Sequence, residues 1–336
     1  MSEPTALIYP YGEVKLNGVL KQNIEDFQVF EYLGFEPSGE GEHLYLWIEK
    51  QGITTDQVNQ KLARHYQVKP FHISDCGLKD AKAITRQWFS VHLPGYKGFP
   101  EDLNAEDFKV LNKSWSSKKL KKGVHKGNHF EITIRDLSGD NDQAKQQIEQ
   151  VKTSGFANYF GEQRFGKGQR NVQNAIDAFI TNKKLSRAKR SLYLSSLRSF
   201  LFNEVLVKRI QQQQWHQAIE GDCFMLDGTR STFCDALDET TIKRCAEGDI
   251  HPVISLMGQG EPYNKGLAKQ FENEVFSLYP EITQILIDQG VNRDKRALRQ
   301  NVQNLEAEFV DNSLRLKFYL PKGCYATTMI QHFCHY

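Results

Sequence analysis

The stretch SLRLKFYL, residues 313–320, alternates apolar and polar side chains without a break, putting Leu314, Leu316, Phe318 and Leu320 on one side. Successive strand residues point to opposite faces, so the pattern predicts a half-buried strand near the end of the chain. Pro321-Lys322-Gly323 then turns, and a short helical tail follows. Strands of the same kind fill the first half of the sequence. Ile24 to Glu31 reads as one, with Phe27 and Val29 on one face. LYLWIEK follows with Leu44, Leu46 and Ile48 aligned, AITRQWFSVHL with Phe89, Val91 and Leu93, and HFEITIRDL with Phe130, Ile132 and Ile134 inward. Thr54 to Val68 predicts a helix capped by Thr54 with Gln57 three residues on, carrying Val58, Leu62 and Tyr66 and stopped by Pro70. Residues 142–152 predict another.

Between these sheet-rich parts the period changes. Residues 174–214 and 264–305 read as helical, and 221–260 as short strands with glycine turns. A closing strand that matches the first half, set after a helical middle, implies that the middle is inserted. The sequence therefore predicts an α+β fold with a mixed, largely antiparallel sheet and flanking helices. The sheet domain would be discontinuous, 1–153 plus 303–336, with a helix-rich insert at 154–302.

A length of 336 residues suits two compact domains, and 39% hydrophobic with 25% charged residues is ordinary for a soluble globular protein. No apolar run approaches the roughly 20 residues of a membrane span. MSEPTALIYPYGE lacks a basic and then apolar leader pattern, so a cytoplasmic location is expected. Six cysteines without CxxC spacing argue against structural zinc and a disulfide framework, and reduced thiols are expected. No phosphate-loop motif occurs, which argues against ATP hydrolysis. Net charge is only +2, but cations cluster: Lys113, Lys118, Lys119, Lys121, Lys122 and Lys126; Lys183, Lys184, Arg187, Lys189 and Arg190; Arg293, Lys295, Arg296 and Arg299. Separate basic patches on a near-neutral chain suggest a polyanion partner.

The chemistry concentrates in SDCGLKDAKAITRQWFS, residues 74–90. Asp80 sits between an apolar run and a strand, a junction at which rigid backbone presents a side chain. Lys79, Lys82 and Arg86 lie close in sequence, and cations favour the charged, nucleophilic form of a carboxylate. Read alone, an aspartate after a lysine in a turn is a turn-former.

Several motifs together resemble the TruD family of tRNA pseudouridine synthases along nearly the whole chain. They are LKQNIEDFQVFE (20–31), GLKDAKAITRQW (77–88), KGNHFEITIRD (126–136), NYFGEQRFG (158–166) and LPKGCYAT (320–327). The resemblance implies a pseudouridine-synthase catalytic fold with a family-specific inserted domain. It implies isomerisation of uridine 13 in the D arm of tRNA to pseudouridine, with no cofactor, no metal, no membrane and no obligate protein partner. Asp80 takes the place of the catalytic aspartate; Phe27, Asn128 and Tyr325 fall where the family contacts the target nucleotide. Where the family carries phenylalanine, Tyr325 is a departure: stacking would survive, while the hydroxyl would need a partner or water. Lys21 corresponds to a basic residue that pairs with the aspartate, with Lys79 in support. Lys118, Lys119, Lys121, Lys122, Lys126, Arg164 and Arg170 are the expected contacts to the RNA backbone. A tRNA-binding or tRNA-folding protein that kept the scaffold without turnover is the alternative; retention of Asp80, Lys79 and Lys21 weighs against it.

Overall fold

The structure, a computed structural model, describes residues 6–101, 103, 105–166, 168 and 170–336. In chain order come β1 (Asn17–Leu20), β2 (Phe27–Tyr32), β3 (His43–Lys50), α1 (Thr55–His65), β4 (Ile73–Asp75), β5 (Ile84–His92), β6 (Phe108–Ser116) and β7 (Gly127–Ser138). The middle holds α2 (Asn141–Ser154), β8 (Phe156–Ala157), α3 (Arg170–Ile180), α4 (Arg187–Gln211), β9 (Phe224–Leu226), β10 (Thr232–Phe233) and α5 (Glu239–Ala246). It continues through β11 (Ile250–Leu256), α6 (Gly266–Leu278), α7 (Pro280–Asp288), β12 (Asp294–Ala297) and β13 (Arg299–Gln300). The chain finishes with β14 (Gln303–Val310), β15 (Ser313–Pro321) and α8 (Ala326–Ile330).

Two compact units result. The sheet unit comprises 16–139, 303–323 and residue 336; the helical unit comprises 1–15, 140–302 and 324–335. Helix α2 and residues 324–335 thus group with the helical middle.

The sheet runs β14-β15-β7-β2-β5-β3-β6, with β1 added to β7 and β4 to β5. Among the described residues β2–β5 is its parallel pair and the other neighbours are antiparallel, as the alternating patterns implied. Strand β15 pairs with β7 over eight residues, from Leu314↔Ile134 to Pro321↔Gly127, which ties the end of the chain to its first half. Leu314, Leu316, Phe318 and Leu320 are all buried, as are Phe130, Ile132 and Ile134. Gly127 belongs there for lack of a side chain: a Cβ would meet the Leu320 carbonyl and the Tyr319 ring within 2.5 Å. Helix α1 starts where predicted, with Thr54 Oγ1 accepting the Gln57 N–H and Gln57 Oε1 accepting the Thr54 N–H. Its Val58 and Leu62 pack on Leu44, Leu46, Ile48, Phe89 and Val91. One strand starts later than the pattern indicated. Asp26 Oδ2 accepts the Asn23 N–H at 2.8 Å and its carboxylate pairs with Arg135, so residues 24–26 form a 3-10 turn and β2 begins at Phe27.

The core of the helical unit is built on α4, with Leu197, Leu201 and Val205 against Ala175 and Ile176 of α3 and Val275 and Phe276 of α6. Leu192, in the first turns of α4, is 41% exposed. The expected helix over 264–305 breaks into α6 and α7 and then ends. Gly290 takes a left-handed φ of +67°, and residues after it pair as strands, Ala297 with Val253 and Arg299 with Ala157. The expectation of reduced thiols is also corrected, because Cys223 and Cys234 are disulfide-bonded. The register of β9 and β10 explains it: Phe224 faces Phe233, so the next residues outward, Cys223 and Cys234, are brought together.

Candidate active site

Lys21, Phe27 and Asp80 meet within the sheet unit. Lys21 Nζ lies 2.6 Å from Asp80 Oδ2, the two side chains being 22% and 39% exposed. The same ammonium sits 4.0 Å from the centre of the Phe27 ring. Lys21 adopts φ +59°, a left-handed conformation that is unfavourable for a residue with a Cβ and that recurs at functional sites. Phe27, on the first position of β2, is 4% exposed and packs edge-on against Phe130. It forms the floor under Lys21, and Asp80 keeps an accessible carboxylate above.

Two of the cations near Asp80 in sequence are paired elsewhere. Arg86 pairs with Glu49 and lies over Phe30. Lys79 turns to the buried Glu31, with Nζ 3.0 Å from Oε2. The cation at Asp80 comes from 59 residues earlier in the chain.

A polar network holds the turn that carries Asp80. Thr55 Oγ1, in the first turn of α1, accepts the Lys79 N–H at 3.0 Å, and Gln87 Nε2 donates to the Gly77 carbonyl. Glu31 Oε1 accepts the Trp88 N–H while its other oxygen binds Lys79. Lys50 Nζ donates to the carbonyls of Ile53 and Asp80 at 2.9 Å and of Lys79 at 3.4 Å. Neither Glu31 nor Lys50 was singled out from sequence. Both carried a signal: Glu31 continues the face of Phe27 and Val29, and Lys50 that of Leu44, Leu46 and Ile48. A charge in register with a buried apolar face requires a partner.

Glu31, Cys76 and His125 bring their donor atoms within 4.8 Å of one another, as a metal site would. Lys79 already supplies the positive charge on Glu31. Burial, with the neighbouring Glu31, pushes the Cys76 thiol far up, and burial, then Lys79 and Lys322, push His125 down to about 4. A protonated thiol beside an ammonium makes a poor cation site.

Asn128 lies on β7 opposite Glu31 of β2 and Leu320 of β15. Its Oδ1 is shielded from solvent and has no hydrogen-bond partner, an acceptor that a ligand N–H would satisfy. Tyr325 belongs to the helical unit, at the start of α8. Its hydroxyl does have a partner, accepting from Arg164 Nη2 at 3.0 Å, while Arg164 Nη1 donates to Ser195 Oγ. The guanidinium of Arg164 is thus committed to holding Tyr325.

Lys118, Lys119, Lys121, Lys122 and Lys126 are all exposed, and so is Arg170 at the start of α3. Two of the lysines are engaged, Lys122 with the buried Asp75 and Lys119 with the Phe71 carbonyl. The 183–190 cluster is solvent-exposed at its charged positions. The cluster at 293–299 is absorbed by the fold. Arg299 is buried and donates to His251 Nδ1 and to the carbonyls of Cys245 and Ile250, Arg296 to Asn158, and Arg293 to the Gly260 carbonyl.

The sequence profile of the family described as tRNA pseudouridine synthase D (TruD) matches residues 6–188 and 169–333. A tRNA pseudouridine synthase D of Methylococcus capsulatus is 42% identical over 326 residues, 96% of this chain and 92% of that one. The protein of the same name from Colwellia psychrerythraea is 36% identical over 340 residues, 98% of this chain and 92% of its own. A solved structure described as a TruD protein from Methanosarcina mazei has the same fold, with a TM-score of 0.72 at 20% identity across 97% of this chain and 95% of that one.

Proposed function

The chain belongs to the tRNA pseudouridine synthase D (TruD) family, and on that premise we propose that it isomerises uridine 13 in the D arm of tRNA to pseudouridine, with Asp80 as the reacting carboxylate. The observation that carries this reading is the Lys21–Asp80 pair seated on Phe27, with the lysine backbone held in an unfavourable conformation to make it. Such backbone strain at a residue with a Cβ costs energy and clusters at functional sites.

The reaction breaks the bond from ribose C1′ to uracil N1, turns the base and joins C1′ to C5; the C5 hydrogen leaves as a proton and N1 gains one. No electrons are exchanged with a partner. Asp80 either attacks as a nucleophile when the glycosidic bond opens or, once it has opened, acts as the base that starts a glycal route. In both roles the carboxylate must reach the nucleotide with one oxygen, and the geometry leaves Oδ1 for that while Oδ2 is held by Lys21. A base inside folded tRNA has to be unstacked and read by its edge and face. The unpartnered Oδ1 of Asn128, in the sheet unit, suits a uracil N–H. In the helical unit the ring of Tyr325, steadied by Arg164, offers a stacking face to a nucleotide. We assign catalysis to residues 1–153 with 303–336, the family-specific insert to 154–302, tRNA backbone contacts to the exposed lysines of 118–126 and to Arg170, and the cytoplasm as the site of action. No helix among the described residues is long and apolar enough to cross a membrane.

The test is tritium release from tRNA labelled at uracil C5, for the parent and for Asp80→Asn. Release by the parent and none by the variant, with tRNA binding retained, supports both the reaction and the residue. Release by neither leaves a tRNA-binding protein, and release by both removes Asp80 from the chemistry.

A further inference from the structure

Lys50 ends β3 on its buried face and is 0% exposed. An ammonium has three N–H donors, and here they meet three carbonyl oxygens, those of Ile53, Lys79 and Asp80. Removing a lysine from water without a carboxylate in contact is unfavourable for folding, so its retention calls for another explanation. Two of its three acceptors belong to the residues that present the reacting carboxylate.

We infer that Lys50 is a positioning residue for the isomerisation: its ammonium clamps the Lys79 and Asp80 carbonyls and so fixes where the Asp80 carboxylate points. This rests on the reading of Asp80 given above. The charged groups facing Lys50 are Asp80 and Lys79; Glu49 lies on the opposite face with Arg86 and Lys109, and the cross-strand neighbours Thr85 and Phe108 carry no charge. Burial lowers the lysine, Asp80 raises it and Lys79 lowers it again, leaving it at about 8. A neutral amine keeps two donors for three carbonyls, so the clamp loosens as pH rises through that value.

Single-turnover tritium release at saturating tRNA, with the tRNA dissociation constant measured in parallel, tests this. Rates are taken between about pH 6.5 and 9.5 for the parent, Lys50→Met, Lys50→Arg and Asp80→Asn. Lys50→Met is expected to slow the step by about 100-fold, the scale of a misplaced reacting group, with affinity held within about twofold. The parent rate should fall above about pH 8 at constant affinity, and Lys50→Arg should shift that fall upward by about a unit or more, since a guanidinium keeps its proton. A folded Lys50→Met with the parental rate overturns the inference, as does an equal loss of rate and affinity. If Lys50→Met does not fold, the profiles decide: a parent rate flat through about pH 9, or the same fall in Lys50→Arg, overturns it. Activity in Asp80→Asn would instead sink the reading of Asp80, whereas an inactive Asp80→Asn beside an active Lys50→Met sinks the Lys50 inference alone.

Discussion

Lys21 is where a local conformational penalty and a charge interaction oppose each other. Its left-handed backbone costs about 1 kcal/mol, while its ion pair with Asp80, both side chains partly exposed, is worth about 0–1 kcal/mol. Replacement by glycine removes both, so Lys21→Gly should melt within a few degrees of the parent while tritium release drops by about 100-fold or more. A variant that melts far lower would make Lys21 a folding residue. Tyr325 gives the converse case. Tyr325→Phe keeps the ring and leaves Arg164 Nη2 without its acceptor, at a stability cost of about 1 kcal/mol. The turnover number should stay within about threefold, and a larger loss would mean that the hydroxyl itself takes part. The residues that sequence reasoning missed, Glu31 and Lys50, are legible after the fact as charges in phase with an apolar face. Their partners are not, because Trp88, Lys79 and Asp80 reach them from other strands and turns.

Elements governed by one local rule were readable. Strict alternation defined β7 and β15, and the Thr54/Gln57 capping box defined the start of α1. Segments fixed from a distance were not. Residues 294–300 carry charges and apolar residues that fit no strand pattern, and they become strands because Arg299 finds buried acceptors at Cys245, Ile250 and His251. Capping also links an element to the site. Thr55, one residue into α1, receives the Lys79 N–H and donates to Gln87, so the first turn of this helix backs the Asp80 turn. Thr54→Ala should lower stability by about 1 kcal/mol in urea unfolding. Its effect on turnover should stay within about threefold, because Thr55 remains packed; a much greater loss of rate than of stability would mean that the cap positions Asp80 directly.

The two units should answer acid differently. In the sheet unit His125 is held down to about 4 by burial, so between about pH 6.5 and 4 the unfolded chain binds a proton that the folded one does not. Stability therefore falls as pH falls across that window, by up to about 3 kcal/mol from this group. Asp26 and Glu49, lowered by Arg135 and Arg86 against their burial, act in the same direction at lower pH. In the helical unit His332, also at about 4, acts with His216 and His251, which burial lowers too. They are opposed by Glu272, which burial raises to about 7, and by Asp222, which burial also raises; both carboxyls gain stability as pH falls. Hydrogen exchange, corrected for its intrinsic pH dependence, should show β7 amides losing protection before those of α4 between about pH 6.5 and 4. The reverse order would contradict this balance. Charge at the surface belongs to the same scale. Lys118 and Lys121 are exposed, whereas Lys122 neutralises a carboxylate that is 1% exposed and Lys119 holds a carbonyl. If the first two touch tRNA phosphates, the Lys118→Ala/Lys121→Ala pair should weaken binding and reduce the slope of log affinity against log salt by about two, with the melting temperature unchanged. Lys122→Ala should mainly lower the melting temperature, because it strips the cation from buried Asp75 and leaves it the Asn59 amide. A slope that stays at the parental value in the double variant would move the footprint to other cations, with Arg170 the next to replace.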